Sequence, residues 1–135
     1  MSYRVDHGLR LVHAVGRGTL TDSEVFGYQR EVWGRPDVSG YKELVDMTQV
    51  STIAVPSPAR VRDLAELAAG MDEPSKSSKF AIVAPSDVAF GLGRMFESYR
   101  SEMQKGTKEV AVFRTMEEAL AFLEIEGPLA IPGTD

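Results

Sequence analysis

The chain has 135 residues, 43% of them apolar and 26% charged, the proportions of one globular domain with a substantial core. Its formal charge of −5 argues against a nucleic-acid partner, and the absence of cysteine excludes disulfides, thiolate metal sites and cysteine nucleophiles. The first ten residues, MSYRVDHGLR, lack an apolar signal region, and no window approaches the ~18 apolar residues of a membrane helix, so the expectation is a cytoplasmic protein with no integral membrane segment.

The stretch YRVDHGLRLVHAVG reads as a β-hairpin. His7-Gly8 would be a two-residue turn in which Gly8 supplies positive φ. In the second strand Leu9, Leu11 and His13 share one face, and Val12 and Ala14 share the other. Gly16, Gly18 and the polar run to Ser23 are expected to end that strand. A capping box, Thr21 to Glu24, then opens a helix in which Val25, Tyr28 or Gln29, and Val32 recur at helical spacing. Gly34, Pro36 and Gly40 stop it. YKELVDM is the next strand and TQVSTIAVP a loop. Ser57 caps a further helix with Pro58 at its first position and Val61, Leu64, Ala65, Ala68 and Met71 in one stripe. FAIVA reads as a strand buried on both faces. Ser86 caps a helix that runs to about Lys105, EVAVF is the last strand, and a second capping box, Thr115 to Glu118, opens a helix with Met116, Ala119, Leu120 and Leu123 on one side.

The resulting order is β-β-α-β-α-β-α-β-α, an α/β domain over residues 1–126 followed by a flexible tail over 127–135. Alternating strands and helices predict a mostly parallel sheet, to which the N-terminal hairpin adds an antiparallel strand. Parallel strands end along one edge, where open α/β sheets bind ligands. That edge would collect Asp46, Ser86 and Arg114.

The helix after Ser86 carries two glycines. With Leu92 at the centre of a helical wheel, Val88, Met95, Phe96, Tyr99 and Met103 fall within about 60° and predict the core face. Phe90 then lies nearly opposite, beside Arg94 and Glu97, with Gly91 and Gly93 on the flanks. Each glycine costs about 1 kcal/mol relative to alanine, so close approach of a neighbour or ligand is the expected compensation.

AIVAPSDVAFGLGRMFESY resembles the corresponding stretch of the SpoIIAA-like proteins, a STAS-related bacterial family. Val83-Ala84-Pro85, Ala89-Phe90-Gly91 and Arg94-Met95 match the family's pattern, and Val45-Asp46 matches its strand end. The resemblance spans roughly residues 3 to 124 and implies a single STAS-like domain, with lipid binding in the related CRAL-TRIO fold as an analogy. Related anti-sigma-factor antagonists carry a phosphorylated serine after an aspartate. The matching place here reads Ile53-Ala54-Val55-Pro56, and Ser57 is accounted for as a helix cap.

Other chemistries fit less well. Asp46, Ser86 and Arg114 imitate a two-component receiver, but the acidic pair that would hold Mg²⁺ is missing after the first parallel strand. Gly16 and Gly18 make an incomplete phosphate loop. His7 and His13 have neither nucleophile nor carboxylate at catalytic or metal-ligating spacing. The sequence therefore predicts no catalytic residue, no metal and no cofactor. It predicts a binding or regulatory domain acting on a protein partner, a small lipid-like ligand or a second copy of itself as a homodimer. Asp46, Val50, Ile53, Ser86, Asp87, Phe90 and Arg94 would form the contact surface, within a loop from Val50 to Pro56 and the helix after Ser86. An enzyme using the strand-edge crevice around Asp46 is the alternative.

Overall fold

A computed structural model describes residues 1–54, 57–103, 106–129 and 132. Five strands form one sheet in the order β1(Ser2–Asp6), β2(Leu11–Leu20), β3(Lys42–Ile53), β4(Ser78–Val83), β5(Lys108–Phe113). β1 is antiparallel to β2, and every other neighbour is parallel. The helices are α1(Asp22–Trp33), α2(Pro58–Met71), α3(Asp87–Ser101) and α4(Met116–Leu123), with a short 3-10 turn at Pro36–Val38.

Because each parallel strand lies beside its predecessor, crossovers of one hand put their helices on one side. α1, α2 and α3 cover the first sheet face through Tyr28, Val32, Val61, Ala65, Ala89 and Phe96, which meet Val12, Ala14, Val45, Phe80, Ile82 and Val112. α4 covers the other face, where Ala119 and Leu123 meet Leu11, Leu44, Ala81 and Val83. Leu129 packs beside this second cluster, and the Pro132 carbonyl accepts a bond from Arg17.

The expected helix starts hold. Thr21 and Glu24 form a reciprocal capping box, and Ser57, Ser86 and Thr115 cap α2, α3 and α4 by accepting from the third backbone N–H beyond them. The second capping box, expected from Thr115 to Glu118, is only half made, because Glu118 Oε1 accepts from the Thr115 hydroxyl at 2.9 Å. β4 is buried on both faces as its apolar run predicts.

Five local expectations are corrected. The hairpin turn has four residues, 7–10, and the positive φ of 53° falls on Arg10 rather than Gly8. Asp6 stabilises that turn by accepting from the Leu9 N–H at 2.9 Å. β2 does not stop at Gly16 and Gly18 but runs to Leu20, and the expected loop from Val50 is instead the end of β3 as far as Ile53. The two strands continue as a parallel pair, with Gly18 facing Val50 and Leu20 facing Ile53. A side chain on Gly16 would meet Val50 Cγ2 at 3.0 Å, so this glycine lets the strands close rather than breaking them. Val55 and Pro56 lie outside the described residues.

α3 is turned from its expected face and ends at Ser101, short of Lys105, which lies outside the described residues. Its buried residues are Ala89, Gly93, Phe96 and Arg100, while Val88 is 56% exposed. At ~100° per residue this centre is rotated about 70° from Leu92. The cause is Gly93, whose missing side chain lets the helix settle against Val112 and Ile82. The same rotation brings Phe90 to the edge of the first core cluster, half-buried.

Candidate functional site

The most distinctive feature of the first face is an apolar cavity of about 140 Å³ between the sheet and α1–α3. Its sheet wall is Val45, Met47, Phe80 and Ile82, and its helical walls include Val25, Phe26, Val61, Leu64, Leu92 and Phe96. Gly93 contributes to the same wall. Two larger depressions, of about 210 and 410 Å³, are lined mainly by polar and charged groups such as Asp72, Lys76 and Thr107, or Arg94, Glu97 and Ser98.

The two ends of the cavity differ in chemistry. At the carboxyl edge of the sheet it is bordered by Leu20, Thr21, Asp22, Ile53, Ala54 and Arg60. Arg60 Nε donates to Asp22 Oδ2 at 3.1 Å, and its guanidinium lies 4.1 Å from the centroid of the Phe26 ring. Both charged side chains are partly exposed, at 46% and 37%, which marks this as the mouth. At the other end Tyr28 and Glu43 join the wall, and Glu43 is 2% exposed.

Glu43 anchors a buried polar network. Its Oε2 accepts from Tyr28 Oη at 2.8 Å and from Trp33 Nε1 at 3.1 Å, and its Oε1 accepts from Lys108 Nζ at 2.9 Å. Burial pushes the Tyr28 hydroxyl well above its ordinary range, and the Glu43 charge pushes the same way. Burial lowers the Lys108 ammonium, with the Glu43 carboxylate opposing part of that shift. Nearby, Asp72 Oδ2 accepts from Arg100, from the Thr107 N–H at 2.9 Å and from the Lys108 N–H at 3.1 Å. This second buried pair ties the ends of α2 and α3 to the start of β5.

Sequence reading did not single out Glu43. The available signal was its alternation with Val45 and Met47 on one strand face, together with a tryptophan and a tyrosine whose polar atoms needed an acceptor.

The expected contact residues are distributed over several places. Ile53 lines the cavity mouth, and Val50 packs over Gly16 in the strand extension. Asp46 faces the α4 side of the sheet with Leu44, is 4% exposed, and its Oδ1 accepts from the Thr48 N–H at 2.8 Å. Ser86 Oγ is taken up by the Ala89 N–H at 3.1 Å. Asp87 and Phe90 do come together: Arg114 bonds Asp87 Oδ1 at 2.9 Å and the Pro85 carbonyl at 3.0 Å, and its guanidinium stacks 4.1 Å from the Phe90 ring centroid. Arg94 pairs with Glu97 one turn along at 3.1 Å. Each of these groups is engaged with its neighbours in the fold. Among the described residues no three His, Asp or Glu side chains are arranged to hold a metal, and no helix is long and apolar enough to cross a membrane.

Comparison with protein-family models, with curated proteins and with solved structures finds no match to this chain.

Proposed function

We propose that this chain is a non-enzymatic, STAS-like binding domain whose ligand is a small apolar molecule held between the sheet and α1–α3. The observation that carries this reading is the 140 Å³ cavity with almost wholly apolar walls. An engineered cavity of about 150 Å³ with similar lining stays dry and accepts benzene, which sets the size of a ligand that fits. The strand order is compatible with a STAS-like domain. The mouth opens at the carboxyl edge of the parallel strands, the edge at which open α/β sheets hold their ligands.

A second reading, association with a protein partner or a second copy through the outer side of α3, is favoured by Val88, which is 56% exposed in the first turn of that helix. Native mass spectrometry of the protein purified from the cells that make it separates the two. The ligand reading predicts a monomer with a small adduct that disappears in Val25→Phe, a change that fills the cavity from α1. A bare monomer in both proteins, or a dimer that survives Val25→Phe and is lost in Val88→Asp, contradicts it.

A further inference from the structure

Resting on the cavity reading, we propose that the ligand is a neutral molecule with no hydrogen-bonding group at all, a compact hydrocarbon or halocarbon, and that the wall rejects a hydroxylated analogue of the same shape. The polar side chains of the lining carry this inference, because they are committed to one another and to the fold.

The hydrogen-bonding side chains of the lining are Thr21, Asp22, Tyr28, Gln29, Glu43 and Arg60. At the mouth Thr21 is taken up by its capping box with Glu24, and Arg60 bonds Asp22 at 3.1 Å. Gln29 gives its amide to Met71 Sδ at 3.6 Å. At the inner end Tyr28 donates to Glu43 and accepts from Trp33, while Glu43 also accepts from Trp33 and Lys108. Among the described residues, no polar side-chain atom of this wall is both fully buried and without a partner. A site built to recognise a polar group holds a partner for it that is left unpaired when the ligand is absent. This wall presents hydrocarbon instead.

Selection then follows from what the wall lacks. A hydroxyl entering the cavity gives up its bonds to water and finds none to replace them, whereas a methyl group or a chlorine of similar size gives up no such bond. An ionic end group fares worse, because the interior disfavours an unpaired charge more than an unpaired dipole. With Tyr28 and Glu43 committed to each other, the inner wall has no proton to give or take, so the molecule is held and released unchanged.

Toluene, chlorobenzene and phenol share a ring and differ in one substituent of similar size. Each would be titrated into the intact protein at neutral pH, with the methyl shifts of Val61 and Ile82 reporting occupancy. Toluene and chlorobenzene should saturate with dissociation constants within about threefold of each other, and phenol should bind at least about tenfold more weakly. Phenol binding less than about tenfold more weakly than toluene, or chlorobenzene departing from toluene by more than about threefold, would overturn the ligand class while leaving the cavity as a binding site. Failure of all three to saturate would overturn the cavity reading itself.

Discussion

Lys108 Nζ lies 2.9 Å from Glu43 Oε1, and the two side chains are only 6% and 2% exposed. The same ammonium sits 3.0 Å from the centroid of the Trp33 ring. Two buried charges of this kind are tolerable only as a pair, since neither has water to replace the other. Lys108→Met removes one and leaves the carboxylate stranded. The expected loss is about 3–5 kcal/mol, read from the shift in the urea midpoint at neutral pH. A loss below 1 kcal/mol would mean that water reaches Glu43.

The alkaline limb of stability should carry the signature of Tyr28. Its hydroxyl, raised well above 10.0, keeps its proton in the folded chain where an unfolded tyrosine has lost it. Its contribution is therefore complete below pH 10 and declines as pH rises beyond. Lys108 acts in the opposite sense: its folded value is lowered, so the penalty of burying its charge fades as pH approaches the ordinary 10.5. Comparing the wild type with Tyr28→Phe isolates the tyrosine. The stability advantage of the wild type should shrink above pH 10, approaching about 1.4 kcal/mol per pH unit. A pH-independent difference between the two proteins would show that Tyr28 is accessible to water.

The two glycines of α3 should respond differently to alanine. Gly91 has nothing within 4 Å of an added Cβ, so Gly91→Ala should gain about 0.5–1 kcal/mol from helix propensity alone. An added Cβ at Gly93 would meet Val112 Cγ1 at 3.0 Å, and Gly93→Ala should lose about 1 kcal/mol or more through overpacking. Thermal melts of the two single variants check this. Equal gains would show that the approach of α3 to β5 is not what retains Gly93.

Much of the fold was legible because strong local signals agreed. Thr21, Ser57, Ser86 and Thr115 announced their helices, and the apolar run through β4 announced a strand covered on both sides. What misled was tertiary. Gly16 and Gly18 looked like a strand end because glycine usually weakens strands, yet here Gly16 makes room for Val50. Leu92 looked like the centre of its helix because hydrophobicity was counted without the empty surface at Gly93, which packs as tightly as any side chain. The site was less legible. Ile53 alone of the expected contact residues reaches the cavity, because a cavity is the space left between distant elements and has no motif of its own.

Asp46 makes a useful control, since it stands on the face of the sheet opposite the cavity. Its bond to the Thr48 N–H is one an asparagine oxygen can also make. Asp46→Asn should shift stability by under about 1 kcal/mol and leave ligand affinity unchanged, as measured by denaturant melts and titration. Loss of binding in this variant would return Asp46 to the centre of the site.

The most direct measurement is a methyl-resolved NMR titration of the whole chain with benzene. Saturable shifts should appear at Val45, Val61, Leu64 and Ile82 on the cavity side, while Leu11, Leu44 and Leu123 beneath α4 stay unmoved. Shifts that grow linearly without saturating, or that appear equally on both faces of the sheet, would contradict a ligand cavity in this domain.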